Sequence, residues 1–515
     1  VGLVVSEMCL RDRIYDVTDF RQFLHDTVHL KAGNFQELLD LKFYMIVGTP
    51  SRDVVNIERL WHGYYPLNNF DATVPEDTIQ LDPAASMHKI KITTSGHEWD
   101  NATNCAEFCQ KNHSVDVDGT TRFSWEILDE CADHPLYPQG GTWIYDRAGW
   151  CPGAKVTLRE FELTPYINSD SVILDYNVQY DQYGRYSVTS YLVSYGQPNF
   201  TLDAAVVDIL KPNRMEIQGR FNPMCGRPEI IIENNGSDTL YSLDIAFWPE
   251  GGNLSYFQWE GELAYLEQEL VTLDPIDWNG WVNGNNTFHV EIGNPNGGQD
   301  QYSHNNTFKT AFDLTREFPN QFVIHFKTNL AGHQNNYEII DVDGNILYEK
   351  DGFSNSTVYK DTLALSDGCY NFTLYDSGDN GLSFFANNQG SGYLYFIDMD
   401  DNTIYYIEPD FGKFSSINFT VGLAVNTEEN EIPGHFDIFP NPARDQCNIA
   451  ISLTEKQDVR ISIYDLSGKI IHERSIQDVR SCVEKFNLGE YGNGMYLCHI
   501  QTRDGVIVKK IIMAR

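Results

Sequence analysis

The feature that most constrains this chain is a two-residue hydrophobic rhythm, repeated along most of its length and broken by short turns rich in Gly, Asn and Asp. VTLREFEL at 156–163 alternates apolar and polar side chains. SVILDYNVQY and SVTSYLVSY flank DQYGR at 181–185, and EIIIEN and LYSLDIAF flank NGSD within 229–247. Both read as hairpins. YEIIDVDGNILYE at 337–349 and VRISIYDLSGKIIHE at 459–473 wrap strands around Asp- or Ser-Gly turns. Successive strand side chains point to opposite faces, so this period specifies half-buried strands. Helical periodicity is nearly absent. The best helix candidate is DVTDFRQFLHD at 16–26, with Asp16 or Thr18 as its N-cap. The expected class is all-β, a jelly-roll-like β-sandwich followed by Ig-like and accessory β-sandwich modules.

The charge balance narrows the partners. Against 73 Asp+Glu there are 36 Lys+Arg, a net charge of −37. Such a surface repels nucleic acid and anionic membranes, so neither is expected as a partner. Aromatic residues make up 13% of the chain, ample for several packed cores. No apolar run approaches the roughly 18 residues of a membrane helix, so no transmembrane segment is expected. VGLVVSEMCL, the opening decapeptide, lacks the basic start and long apolar core of a signal peptide and reads as strand material already inside a domain. The expectation is a chain whose natural beginning lies upstream.

Ten cysteines are present. Cys105 and Cys109 are close together, Cys131 and Cys151 share the same region, and Cys9, Cys225 and Cys369 stand alone in the sequence. Cys447, Cys482 and Cys498 lie near the C-terminus. The spacing is not that of a zinc ribbon. Reduced, buried thiols and the local bridges of an exported protein both remain open on spacing alone.

Composition shifts divide the chain at 1–197, 198–316 and 317–425, followed by the polar linker NTEENEIPG at 426–434 and a terminal unit at 435–515. In that last unit Pro440 and Pro442 fix an extended first strand, and hairpins turn at Leu466–Gly468 and Thr502–Gly505. The matching pieces Pro440-Asn441-Pro442, Tyr464 to Lys469, Gly494-Met495-Tyr496 and Val508 to Ile512 closely resemble the C-terminal sorting domain of type IX secretion cargo in Bacteroidetes. This resemblance implies the type IX machinery as a partner, passage through the outer membrane, and a secreted or cell-surface destination. Such a tail addresses cargo and performs no chemistry.

The chemistry concentrates between 95 and 153, in SGHEWDNATNCAEFCQKNHSVDVDG and GGTWIYDRAGWCPG. If Cys105 and Cys109 close a ring, Glu107 sits on a tight, rigid turn, which is how a scaffold aims one carboxylate. Arg147 offers planar donors, and Trp150 a flat face for a sugar. A bland alternative is a stabilising loop with Glu107 as a solvated acid. CAEFC followed by DRAGWCPG resembles the C-terminal half of the peptide-N-glycosidase F family, and DVTDF (16–20) and IVGTP (46–50) fall in the same order. The family fold pairs two eight-stranded jelly-roll-like sandwiches and is shared with peptidylglycine monooxygenase.

That resemblance implies metal-free hydrolysis of the bond between Asn and the first GlcNAc, with an N-linked glycoprotein or glycopeptide as substrate. It implies Glu107 and Arg147 as catalytic residues, Trp150, His97 and Asp146 as substrate-binding residues, and disulfides Cys105–Cys109 and Cys131–Cys151. Two departures qualify it. The family's principal catalytic aspartate would precede Val1, so the chain as given is expected to be inactive. A second family glutamate aligns with Gly33 to Phe35, with Glu37 near but not clearly equivalent. The competing expectation is a non-catalytic glycan-binding or adhesion protein that keeps the fold.

Other signals are weaker. His88, His97 and His113 lack a ligand pattern for copper, and DVDGT (116–120) and DVDGN (341–345) read as hairpin turns rather than calcium loops. No cofactor is expected, apart from a structural calcium that Asp376, Asp379 and Asn380 of DSGDNG could hold. The unit carrying DSGDNG resembles accessory modules of type IX cargo, and the 198–316 unit resembles a CARDB-type Ig-like spacer. Trp248, Trp259, Trp278 and Trp281 of that spacer read as core before glycan face.

Overall fold

A computed structural model describes residues 14–25, 27–29, 42–45, 48–101, 104–136, 141–276, 278, 286–422, 434–439, 443–444, 446–464, 469–492, 494–503 and 505–513. The chain is all-β. The only α-helical segment among the described residues is the single turn Phe70–Thr73. No helix of the described residues is long and apolar enough to cross a membrane. The helix expected at 16–26 is a six-residue 3₁₀ segment, Thr18–Phe23, with the Asp16 carboxylate accepting the Thr18 N–H at 2.8 Å.

Contacts separate residues 1–425 from 426–515. In the first of these units the described strands form three pairs of sheets, each pair closing on its own core, and one small two-stranded sheet, Trp99–Asn101 with Asn104–Cys105. The leading pair holds Arg52–Pro66, Arg185–Pro198, Met87–His97 and Leu158–Glu162 in one sheet, and Asp77–Gln80, Ser171–Val178, Lys111–Val117 and Thr120–Ile127 in the other. All its pairings are antiparallel. Alternate residues of Met87–His97 and Lys111–Val117 are buried, and Ile90, Ile92, Val115 and Val117 meet in the shared core. The sequence rhythm is thereby converted into two inward faces.

Two expected hairpins are not hairpins. The strands on either side of DQYGR belong to opposite sheets, as do Glu229–Asn234 and Leu240–Pro249. Turn residues allow the chain to reverse, but both flanking strands carry a buried face. Crossing to the other layer buries those faces against each other, and local pattern cannot distinguish that from pairing edge to edge. The Asn335–Asp341 and Ile346–Lys350 strands do pair as a hairpin. DVDGT likewise turns between Val117 and Thr120.

The second pair of sheets covers Ala204–Phe312 and the third Arg316–Val421. Trp259 and Trp278 are buried in the second core. Trp248 stacks on His289 at 5.2 Å, and Trp281 lies outside the described residues. Cys225 and Cys369, which looked isolated, form a disulfide 144 residues apart joining these two modules. A loop that long gives about 5 kcal/mol on the chain-entropy estimate. The terminal unit is one sheet whose long strand Gln446–Tyr464 pairs with Gly434–Phe439 through its first half and with Gly494–Thr502 through its second. Hairpins join Gln446–Tyr464 to Ile470–Asn487 and Gly494–Thr502 to Gly505–Met513. Pro440, Pro442 and Leu466–Gly468 lie outside the described residues. Cys447, Cys482 and Cys498 are free thiols.

Candidate functional site

The loop Cys105–Cys109 follows the short paired strands Trp99–Asn101 and Asn104–Cys105 and is closed by a disulfide, and a second disulfide joins Cys131 to Cys151. Backbone bonds tie these segments together. Ala106 N–H donates to the Glu98 carbonyl at 3.1 Å, Ala148 N–H to the Glu107 carbonyl at 2.8 Å, and Gly96 N–H to the Ala148 carbonyl at 2.8 Å. Gly149 makes the close approach possible. Its φ is +80°, and a Cβ there would stand 2.1 Å from the Thr94 carbonyl oxygen.

Glu107 and Arg147 are thus brought face to face, with Arg147 Nε 3.5 Å from Glu107 Oε1. Arg147 is buried, and its two terminal nitrogens donate to the carbonyls of Tyr145 and Thr142, each at 2.9 Å. Its guanidinium lies 5.1 Å from the Phe108 ring centre and 5.0 Å from that of Trp150. Burial raises the Glu107 carboxyl above the usual carboxylate range, while the Arg147 charge pulls the other way. His97 stacks on Trp150 at 5.9 Å and shares a 2.8 Å hydrogen bond with Ser95 Oγ. Burial lowers its pKa, so the imidazole is neutral at pH 7. Trp150 is fixed by its own Nε1, which donates to the Gly96 carbonyl at 3.1 Å.

Glu107, Arg147, Trp150 and His97 therefore converge. Asp146 is turned elsewhere. Its Oδ1 accepts the Cys131 N–H at 3.2 Å, and burial together with nearby Glu130 and Asp133 raises its pKa. Asp376 is buried in the third module, where its oxygens accept Asn335 Nδ2 at 3.1 Å and the Asn380 N–H at 2.9 Å. Asn380 Oδ1 accepts from Asn387, and Asp379 is exposed with left-handed φ. These bonds shape a turn. Among the described residues no three His, Cys, Asp or Glu side chains are grouped to hold a metal. Gly33 to Phe35, Glu37 and Cys9 lie outside the described residues.

Sequence reasoning passed over several neighbours. Tyr64, from the Arg52–Pro66 strand, donates to Glu98 at 3.4 Å, and Arg185 pairs with the same carboxylate at 3.1 Å. Arg220 was also missed. It is 2% exposed and donates to the carbonyls of Ala132, His134, Phe411 and Phe414. Only HEWD hinted at Glu98, and nothing local marks Tyr64 or Arg220.

Comparison with known proteins bears on this geometry. The family model described as peptide-N-glycosidase F, C terminal, matches residues 65–193, which span both disulfide loops. That stretch is peptide-N-glycosidase F-like. The peptide-N(4)-(N-acetyl-beta-D-glucosaminyl)asparagine amidase F of Elizabethkingia miricola is 26% identical over 196 residues, covering 34% of this chain and 55% of that protein. The chain therefore spans about half the length of this curated relative. A solved recombinant peptide: N-glycanase F is 21% identical over 29% of this chain and 55% of its own, with TM-score 0.28. Dimeric latent PorU from Porphyromonas gingivalis is 13% identical over 63% of this chain and 35% of its own, with TM-score 0.17. A secretion system C-terminal sorting domain matches residues 437–514. The peptide-N-glycosidase F-like region is thus carried by a chain with a type IX sorting tail, directed to the cell surface or outside the cell.

Proposed function

We propose that the full-length protein carrying this peptide-N-glycosidase F-like region hydrolyses the amide bond between Asn and the first GlcNAc of N-linked glycoproteins outside the cell, with the region supplying part of the site and the chain as given expected to be inactive. The observation that carries this reading is Glu107, held on a disulfide-closed turn, half-buried and facing Arg147 beside the ring of Trp150. Amide hydrolysis needs water deprotonated as it attacks and the leaving nitrogen protonated. A carboxyl raised by burial is suited to hold or take that proton. Arg147 is buried with its nitrogens turned to Glu107 and to loop carbonyls. This supports a positioning role: Arg147 fixes the direction of Glu107 and limits the rise of its pKa. Trp150 and neutral His97 provide a stacked wall for a sugar.

The test is release of glycan from an N-glycopeptide by the full-length protein and by its Glu107→Gln variant. Release by the wild type, reduced at least ~10²-fold in the variant, is expected. Equal release by both removes Glu107 from the chemistry. Glycopeptide binding without release would instead support the non-catalytic glycan-binding reading, which the burial of Arg147 also favours.

A further inference from the structure

The third module is not a distant appendage of the candidate site. Trp143, four residues before Arg147, is 1% exposed and donates to Asp410 Oδ1 at 3.2 Å. Lys413 N–H donates to the Ala132 carbonyl at 2.9 Å, and Lys413 Nζ pairs with Glu130 at 2.6 Å. Gly412, with φ +71°, lies so close that a Cβ would stand 2.3 Å from the Ala132 carbonyl oxygen. Ala132, Trp143, Ile144 and Phe384 form a small core of their own. Residues 131–136 and 141–151 are therefore packed against the third module.

Aromatic rings cross that junction in a line. Trp99 meets Phe108 at 6.5 Å, Phe108 meets Tyr145 at 6.4 Å, Tyr145 meets Phe384 at 5.8 Å, and Phe384 meets Phe385 at 5.1 Å. Phe384 is the buried anchor. Trp99 is 54% exposed, Phe108 36%, Tyr145 43% and Phe385 70%. A contiguous row of exposed rings marks a binding surface rather than scattered surface hydrophobics. Its second ring, Phe108, lies against Arg147, so the row is continuous with the candidate site.

We propose that this row is a ledge for a neutral oligosaccharide, with the third module supplying its distal end through Phe385. The proposal rests on the glycan-amidase reading and names the part of the substrate that this surface takes. Pyranose rings present apolar C–H faces that stack on aromatic rings; the rings here meet edge to face, at interplanar angles of 64–88°, so each exposed ring offers a contact of its own. Charge selects the neutral class. Asp146, the neighbour of Tyr145 in sequence, and Asp379 of the third module both feel Glu130 and Asp133, with Lys413, paired to Glu130, as the cation among them. A sialylated glycan or an acidic peptide would be repelled there.

The experiment titrates the full-length protein with a free neutral oligomannose N-glycan and with a sialylated one, using wild type, Phe385→Ala and Phe385→Tyr. Kinetics on a glycopeptide carrying the neutral glycan run in parallel. The expected result is neutral glycan binding weakened about tenfold in Phe385→Ala and recovered in Phe385→Tyr, with KM raised and kcat little changed. Sialylated glycan should bind more weakly, with the gap narrowing as salt rises. Phe385-dependent binding without glycan release would uphold the ledge while removing the amidase reading. Release with identical KM in wild type and Phe385→Ala would remove the ledge and keep the amidase. No glycan binding by the wild type, or self-association abolished by Phe385→Ala without glycan binding, would also overturn the ledge.

Discussion

The two loops that meet at Glu107 and Arg147 are built by opposite strategies. The Glu107 loop is closed within five residues by its own disulfide and is bonded to the strand end beside it. The Arg147 loop also carries a disulfide, but its conformation is set by distant residues. Arg220 enters from the second module, and Trp143, Ala132 and Glu130 lean on Asp410 and Lys413 of the third. One loop is local and self-contained. The other is a tertiary product, so its geometry should fail when modules far away in sequence are altered.

The comparison can be broken first at the chemistry. Glu107→Gln should lower glycan release by ~10²–10⁴-fold with little change in melting temperature, because the ring that carries it remains closed. Next comes the scaffold of the second loop. Arg220→Met should destabilise the chain by about 3 kcal/mol or more, since it strips a buried cation from four backbone carbonyls. Hydrogen exchange should show lost protection at 131–136 while 105–109 is unchanged. Equal loosening of both loops would erase the distinction drawn here. Replacing Cys131 and Cys151 by Ala should cost about 3 kcal/mol in chemical denaturation. The same change at Cys105 and Cys109 should cost less stability but more activity, because its loop is short and its cargo is Glu107.

Smaller effects sharpen the electrostatics. Arg147 opposes the upward push of burial on Glu107, so Arg147→Met should raise that carboxyl further. If Glu107 acts as the base, the acid limb of kcat/KM should move to higher pH, and Glu107→Gln should abolish the limb. Asp203, outside both loops, gives a reference. Burial and neighbouring Asp300 raise its pKa in the fold, and its Oδ1 has no hydrogen-bond partner. A raised folded-state pKa means full stability below the unfolded carboxylate value and progressive loss as pH rises above it. Asp203→Asn should remove that loss, gaining on the order of 1 kcal/mol at pH 8 in thermal melts and nothing at pH 4, with glycan release unaffected.

Legibility followed the same division. The CAEFC turn and DRAGWCPG were readable through their resemblance to a known family, and the alternating strands were readable because burial of one face has a period of two. The hairpins at 181–185 and 235–238 were misread because a turn does not say which layer the next strand joins. Cys225–Cys369 and Arg220 were invisible because their partners lie in other modules.

By itself, then, the sequence determined an all-β chain, since alternation is set within single strands, while its resemblance to known families marked the sorting tail and the pinned carboxylate. Only the tertiary structure decided that Arg147 faces Glu107, that Asp146 turns to Cys131, and that Phe385 of a later module extends the aromatic row. Those outcomes require segments beyond any single strand or turn to bury apolar area and satisfy backbone carbonyls together, and no local pattern encodes which surfaces will meet.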